Sequence, residues 1–257
     1  MDTIILAYPD KVSNGAKLWH VCEHFGIQIT NNPQTVFDYA IYWCNKTNSM
    51  PDWIISQIAQ KMNVININCV NVLKSRVDKI WEKSCGYSIT INPEKYQYEY
   101  VRKSQLQYRS HTGEVHDGII CDSPQKPDKK FVYQRLIDTS VDGGRFRTLR
   151  LPIFKKNIPC IIVKDSKDRF KEAHSVVEVE YDIFNYIDGV ELYNIRKFCR
   201  KIGLDYGELD ILRDNETERI YVVDVNNIAG DGIFGKLYEG VDELKTTLAE
   251  TFKKEFL

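Results

Sequence analysis

Four oxygen-bearing side chains lie near the C-terminal end of the sequence: Glu208, Asp210, Asp224 and Asn226. They fall in two runs, residues 208–213 and 219–226, which are rich in branched and aromatic residues and flank a turn-forming segment. Such runs separated by a short turn predict a β-hairpin. If the turn is centred on Thr217, Asp210 faces Asp224 and Glu208 faces Asn226 across the two strands.

Side chains alternate between the two faces of a strand, so these four polar residues would share one face. The opposite face would carry only apolar side chains, namely Leu209, Ile211, Tyr221, Val223 and Val225. Carboxylates on one face repel one another unless a cation lies among them, and Mg²⁺ prefers such oxygen ligands together with phosphate. The hairpin therefore predicts a magnesium–nucleotide site. A solvated hairpin with an acidic outer face has the same spacing, and spacing alone does not separate the two.

The first 70 residues alternate between predicted strands and helices. The pattern predicts strands at 4–7, 39–43 and 64–67, with helices at 13–25 and 52–62. This alternation favours a small parallel sheet. No glycine-rich phosphate loop follows the first strand, so the pattern gives no reason to place a dinucleotide on this sheet.

The second part of the chain supplies the elements that lead into the hairpin. A helix is predicted at 70–84, and strands are predicted at 88–91, 99–103, 131–137, 158–164 and 176–179. Asp188 is expected to cap a helix that runs to residue 201. The residues after Gly232 are amphipathic and predict a C-terminal helix. Together these elements predict an α/β fold class.

The composition is that of an ordinary globular chain. Its 257 residues are 43% hydrophobic and 28% charged, with a net charge of −1, which gives no electrostatic reason to expect nucleic acid or a membrane surface. No apolar run approaches the roughly 20 residues that span a bilayer, and the N-terminus does not read as a signal peptide. The seven cysteines form no CxxC pair, which favours reduced thiols and a cytoplasmic protein.

The hairpin sequence, GLDYGELDILRD followed by ERIYVVDVNNIAGDG, resembles the C-terminal signature of the ATP-grasp superfamily. The resemblance implies that Asp210, Asp224 and Asn226 hold two Mg²⁺ ions beneath ATP. Two departures stand out. The family often has Glu where Asp224 stands, which keeps a carboxylate. It also often has Pro-Gly after the Asn, where this chain has residues 227–230.

The resemblance also implies residues that meet the nucleotide. A family lysine at the start of a helix matches Lys74, with Lys79 as a rival, and a second lysine at the end of the next strand matches Lys103. Both would contact phosphates, with Lys103 the firmer match of the two. The alternative for any single lysine is a solvated surface charge. The adenine hinge matches Gln134, Leu136 and Asp138. A polar loop at residues 105–117 matches the lid that closes over the phosphates.

Three arginines alternate with apolar residues in the segment GGRFRTLRLPIF: Arg145, Arg147 and Arg150. The family carries an arginine on this strand that meets phosphate or an acyl-phosphate, and guanidinium groups bind such anions bidentately. Arg147 is the first choice for this role and Arg145 the second. At least one of the three is expected to be an ordinary surface arginine.

The resemblance implies a division into an N-terminal Rossmann-like pre-ATP-grasp domain at residues 1–87 and a two-subdomain ATP-grasp domain at residues 88–257. It implies an ATP- and Mg²⁺-dependent carboxylate–amine or carboxylate–thiol ligase, which forms an acyl-phosphate and releases ADP and phosphate. The expected partners are ATP, a small-molecule carboxylate and an amine, and a homodimer is compatible with the pattern. Two alternatives stay open: a kinase that phosphorylates a small molecule, and a non-catalytic nucleotide-binding protein.

Overall fold

A computed structural model describes residues 3–105, 118–170, 175–230, 234 and 239–257. The helices are α1 (Lys17–Phe25), α2 (Trp53–Ala59), α3 (Lys74–Cys85), α4 (Gly189–Ile202) and α5 (Val241–Phe256). The strands of the first half are β1 (Ile4–Pro9), β2 (Gln28–Thr30), β3 (Tyr39–Trp43), β4 (Val64–Ile65), β5 (Tyr100–Ser104), β6 (Ile119–Cys121) and β7 (Phe131–Arg135). The remaining strands are β8 (Ser140–Val141), β9 (Arg145–Phe154), β10 (Ile161–Ser166), β11 (Val176–Glu180), β12 (Tyr206–Arg213) and β13 (Ile220–Asn226).

The first four strands form a parallel sheet in the order β2-β1-β3-β4. The predicted parallel arrangement is therefore observed. Strand β2 was not predicted, because a strand of only three residues, two of them polar, gives no clear pattern in the sequence. The finer description of this unit as Rossmann-like stays a prediction.

Helix α3 begins at Lys74, four residues later than expected. Residues 70–72 are extended instead and hydrogen-bond to residues 47–49. The Val72 amide donates to the Thr47 carbonyl, and the Ser49 amide donates to the Val70 carbonyl. After α3 the chain forms a small antiparallel sheet in the order β6-β5-β7. Its strand β7 leads directly into residues 136–138, which belong to the predicted adenine hinge and are called the hinge segment below.

The largest sheet has six strands, with β11-β10-β9-β12-β13 in order and β8 paired to β9. Helices α3 and α4 contribute Trp81 and Phe198 to one hydrophobic cluster with Leu151 and Leu209 of this sheet. Asp188 caps α4 as predicted, and it forms a reciprocal capping box with Glu191. This packing covers one face of the sheet. Helix α5 covers part of the opposite face, at Phe154 and Tyr206, and the cavity described below lies over another part of it.

Helix α5 joins the two large sheets. Its Leu248 and Phe252 are buried in one cluster with Ile5 of β1, Phe154 of β9 and Tyr206 of β12. The two sheets therefore share a continuous apolar contact, while the predicted boundary at residue 87 stays a prediction. Among the described residues, no helix is both long and apolar enough to cross a membrane.

Candidate active site

A cavity of about 420 Å³ opens between the hinge segment that follows β7 and the free face of the six-stranded sheet. Its walls bring together residues that are far apart in sequence. Most of the residues predicted for the site line it: Lys74, Lys103, Gln134, Leu136, Asp210, Asp224 and Asn226. The remaining three predicted residues are Asp138, Arg145 and Arg147, which lie elsewhere.

The hairpin of β12 and β13 has the predicted register over the half that carries Glu208, Asp210, Asp224 and Asn226. Asp210 lies opposite Asp224, and Glu208 lies opposite Asn226. A β-bulge follows Asp210, so that Ile211 pairs with Val222. Val223 belongs to the apolar cluster, as alternation predicts, and at the bulge it also borders the cavity.

Glu208 shares the hairpin face but does not line the cavity. Its side chain is 2% exposed, and its Oε1 lies 3.0 Å from the Lys17 ammonium of α1. A buried carboxylate requires such a partner, because an unpaired charge is costly away from water. Glu208 is therefore tied to the N-terminal sheet unit.

Arg150 lies directly opposite Asp210 on the neighbouring strand β9. Its Nε and Nη2 donate to the two carboxylate oxygens of Asp210 at 2.8 and 2.9 Å. Lys164 of β10 places its ammonium 3.5 Å from the same carboxylate. Burial alone would raise the pKa of Asp210, but the two cations outweigh it and hold that pKa well below its usual range.

The two predicted lysines converge on the cavity from different elements. Lys74 is the first residue of α3, and its Nζ lies 3.6 Å from Oδ1 of Asp224. Lys103 comes from β5 and lines the cavity opposite the hairpin. The rival Lys79 lines a separate groove beside Thr90 and Gln105, because five residues along a helix turn a side chain by more than a quarter of a circle.

The hinge is only partly as expected. Gln134 and Leu136 line the cavity. The Gln134 amide donates to both carboxylate oxygens of Asp78, at 2.9 and 3.0 Å, and so fixes the hinge to α3. Asp138 is folded back instead, where it accepts the Ser140 amide at 3.0 Å. This hydrogen bond holds the pKa of Asp138 below its ordinary value.

Neither Arg147 nor Arg145 lines the cavity. Arg147 makes a bidentate pair with Asp165, at 2.8 and 2.6 Å, and Arg145 donates to the Asp165 carbonyl. The reason is the alternation of β9. Its even-numbered residues Phe146, Thr148 and Arg150 face the cavity, whereas Leu149 and Leu151 lie in the opposite core. Arg150 is therefore the arginine that the structure places in the cavity.

Two further lining residues were missed from the sequence. Lys164 is 4% exposed, although it was assigned no role from the sequence. Its signal was a lysine that directly follows the apolar run Ile161–Val163 within a strand, where a buried charge is unusual. Arg169 stacks on Phe146, with its guanidinium carbon 4.2 Å from the ring centre, and donates to the Ile137 carbonyl of the hinge. No local pattern marked Arg169.

The donor set fits a magnesium ion that is completed by phosphate. Within the described ranges, no cluster of three His, Cys, Asp or Glu side chains is placed to hold a metal ion. Asp224 and Asn226 project two oxygen donors from one face of β13, and Mg²⁺ commonly takes one or two carboxylates plus phosphate and water. Asp210 stands opposite, but Arg150 already occupies both of its oxygens. The predicted lid falls almost entirely on residues 106–117, outside the described residues.

Comparison by sequence finds no matching family model and no matching curated protein. Comparison of structures finds agreement in chain path over nearly the whole molecule. The ATP-grasp ligase PsnB, complexed with a phosphomimetic variant of a minimal precursor, Mg and ADP, matches with a TM-score of 0.58 at 12% identity, over 98% of this chain and 99% of PsnB. The chain has the ATP-grasp fold. The prediction of the fold is thus confirmed.

Two other solved structures agree over a similar length. The macrocyclase MdnC from Microcystis aeruginosa MRC, bound with the precursor peptide MdnA, matches with a TM-score of 0.53 at 13% identity, over 98% of this chain and 99% of MdnC. The D-cycloserine synthetase DcsG matches with a TM-score of 0.53 at 11% identity, over 97% of this chain and 99% of DcsG. This ATP-grasp chain therefore shares the fold of ligases with different substrates.

Proposed function

We propose that this ATP-grasp chain is an ATP- and Mg²⁺-dependent ligase that joins a carboxylate to an amine or thiol through an acyl-phosphate. The observation that carries the proposal is that lysine and arginine side chains from several elements line one cavity together with the acidic residues of the hairpin; among them are Lys74, Lys103, Arg150 and Lys164. Such a set matches a triphosphate, whose charge must be neutralised on several sides. The similar folds of PsnB, MdnC and DcsG support the assignment.

The nucleotide would lie between the hinge and the sheet. Gln134 and Leu136 would present backbone groups to the adenine, while Lys74 and Lys103 would bind phosphate oxygens. Asp224 and Asn226 would hold Mg²⁺, with Asp210 beside them. When bound, the ion would neutralise phosphate charge and fix the orientation of the phosphates. The number of ions is part of the proposal, and two are expected.

The reaction then needs positioning and charge stabilisation more than a protein nucleophile. An oxygen of the substrate carboxylate attacks the γ-phosphorus, the bond to the bridging oxygen breaks, and ADP leaves with that electron pair. Arg150 and Lys164 would stabilise the charge on the transferring phosphoryl group. The amine nitrogen next attacks the acyl carbon, phosphate leaves, and the nitrogen loses a proton. Arg150 thus takes the role that the sequence prediction gave to Arg147.

The structural neighbours leave two classes of substrate open, peptides and small molecules. PsnB and MdnC are described in complex with precursor peptides, whereas DcsG is a D-cycloserine synthetase. The loops that recognise a substrate vary on one scaffold, so fold alone does not select between these classes. We therefore propose a carboxylate of either origin.

The test is release of ADP in a screen of paired carboxylates and amines, followed by mass measurement of the product. Asp224→Ala should abolish Mg²⁺-dependent ADP release because it removes a carboxylate that faces the phosphates. Asp165→Ala is the matched control, since Asp165 pairs with Arg147 outside the cavity lining. Full activity of folded Asp224→Ala would refute the assignment, and a phosphorylated product without ligation would identify a kinase.

A further inference from the structure

Lys17 is the first residue of α1, in the N-terminal sheet unit, yet it contacts the β12–β13 hairpin. The side chain is 3% exposed. Its Nζ lies 3.0 Å from Glu208 of β12 and donates at 2.6 Å to the carbonyl of Gly230, beyond the end of β13. Its backbone amide also donates to the Ala229 carbonyl at 3.2 Å. One residue of a different sheet unit therefore contacts both β12 and the segment that follows β13.

Glu208 connects Lys17 to the cavity. Its second oxygen, Oε2, lies 3.9 Å from Nη1 of Arg150. Arg150 in turn is bonded bidentately to Asp210, which also has Lys164 at 3.5 Å. Five charges of alternating sign thus form a continuous row from α1 to the cavity: Lys17, Glu208, Arg150, Asp210 and Lys164.

Arg150 stands between two carboxylates and makes its bidentate pair with only one of them. The choice depends on Glu208, because a buried carboxylate without a cation is costly and attracts the nearest one. Lys17 neutralises Glu208, so Arg150 stays on Asp210. Without Lys17, Arg150 would be drawn towards Glu208 and away from the place where it meets phosphate.

We infer that Lys17 is a positioning residue of the nucleotide site, acting through Glu208 to keep Arg150 on Asp210. The inference rests on the proposed nucleotide-binding function and deepens it. A role in positioning also accounts for the presence of the buried pair Lys17–Glu208. Such pairs often contribute little to folding stability, so stability alone does not explain why charged residues occupy these positions. This positioning role makes the N-terminal unit part of the phosphate site rather than a neighbouring support.

A purely structural role for Lys17 has a different consequence. Asn66 also fastens the N-terminal unit to β12, since its Oδ1 accepts the Tyr206 amide at 2.9 Å and its Nδ2 donates to the Tyr206 carbonyl at 2.6 Å. Loss of Lys17 should therefore leave the two units joined. A positioning role predicts weaker binding of ATP–Mg²⁺ in a protein that still folds.

The experiment compares the full-length wild-type chain with three variants: Lys17→Met, Glu208→Gln and the double variant. ATP affinity is measured by calorimetry across a series of Mg²⁺ concentrations, with thermal unfolding measured in parallel. Lys17→Met should weaken ATP–Mg²⁺ binding by about 10-fold to 100-fold, the usual effect of losing a residue that orients a metal-site group. The double variant should return to within about twofold of Glu208→Gln, because it leaves no buried carboxylate to compete for Arg150.

The control is Arg213→Met, which breaks a partly buried arginine–glutamate pair elsewhere in the molecule, with Arg213 Nη2 and Glu191 Oε2 2.7 Å apart. Neither residue lines the nucleotide cavity, so this variant should lose stability without losing ATP affinity. If Lys17→Met does not fold, Lys17→Gln decides the matter, because glutamine keeps a polar donor at this buried position but carries no charge; it should bind ATP–Mg²⁺ about 10-fold more weakly than wild type.

Two results would overturn the inference alone: wild-type affinity in the Lys17 variant, or equal weakness of Lys17→Met and the double variant. A wild-type chain that binds no ATP with Mg²⁺ would overturn the proposed function, and the inference with it. The two failures are therefore distinguishable from the wild-type titration.

Discussion

Strand β9 carries two arginine–aspartate pairs of nearly equal geometry on its opposite faces. Arg150 holds Asp210 at 2.8 and 2.9 Å, and Arg147 holds Asp165 at 2.8 and 2.6 Å. In both pairs the aspartate lies directly opposite the arginine on a neighbouring strand. Pair geometry alone therefore gives no reason to place a site on one face rather than the other.

The surroundings of the two pairs differ. The side chains of Arg150 and Asp210 are 15% and 14% exposed, and Lys164 and Glu208 lie beside them. Arg147 is 34% exposed and lies over the ring of Tyr186, 5.8 Å from its centre. A desolvated pair with additional cations and carboxylates within 4 Å is better suited to receive an anion than a pair that is more exposed to solvent. Convergence of charge, more than any single contact, distinguishes the face on which we propose the site.

The largest expected effect separates the two arginines by activity. Arg150→Met should lower kcat/KM for ADP release by roughly 100-fold to 1,000-fold, because a preorganised cation is lost from the transferring phosphoryl group. Arg147→Met, the same change on the other face, should leave kcat/KM within about threefold of wild type, since distant satisfied contacts change such values little. Steady-state kinetics of the two purified variants measures both.

An equal loss in the two variants would contradict the distinction between the faces of β9. So would a loss in Arg147→Met alone, which would return the role to the arginine first chosen from the sequence. Circular dichroism of each variant is the control that separates loss of activity from loss of fold.

The sequence was sufficient where alternation and pairing are local. The hairpin register followed from a turn centred near Thr217 and from polar residues spaced by two on each strand. The start of α4 followed from Asp188, because an N-cap acts within one helical turn. Lys74 was placed correctly at the start of a helix even though the predicted helix began too early.

The sequence was insufficient where the face of a long strand had to be chosen from a distance. All three arginines of β9 lie where the family carries its strand arginine. Arg147 is excluded from the cavity because it lies on the same face of the strand as Leu149 and Leu151, which are in the core. The bulge after Asp210 was also not predictable, since nothing in the sequence at Ile211 marks an extra residue on the partner strand. Contacts such as Lys17 with Glu208 join residues that are distant along the chain and have no local signal.

Asp78 is a third case for comparison: it is a buried carboxylate whose side-chain hydrogen bonds, within the described part of the chain, come from Gln134 and Thr90 and not from an arginine. Burial raises the pKa of Asp78 to about 6, although hydrogen bonds from Gln134 and Thr90 act in the opposite direction. The folded state therefore keeps this proton over a pH range in which the unfolded state has lost it. Stability of the wild-type chain should fall as pH rises from about 4 to about 7, by up to about 3 kcal/mol from this group.

Asp78→Asn removes the ionisation and should remove this contribution to the pH dependence. The Gln134 amide can reverse, because among the described residues its buried Oε1 has no hydrogen-bond partner and could accept from the carboxamide introduced at position 78. Urea unfolding at pH 5 and pH 8 measures the effect, and the variant should gain on wild type at pH 8. Asp138→Asn is the control of opposite sign, since the pKa of Asp138 is lowered and its charge stabilises the fold at high pH. A wild-type chain whose advantage over Asp78→Asn grows with pH would contradict the argument.

The smallest expected effect concerns the Arg147–Asp165 pair. Arg147→Met should lower the free energy of unfolding by about 1 kcal/mol or less, because a partly exposed ion pair gains little over its separate hydration. The loss should shrink further in high salt, which screens the exposed side of the pair. Denaturant unfolding of wild type and variant at low and high ionic strength measures it. A loss of several kcal/mol that does not respond to salt would mean that Arg147 and Asp165 act as a buried structural pair, and the contrast between the two faces of β9 would then lie in packing instead of charge.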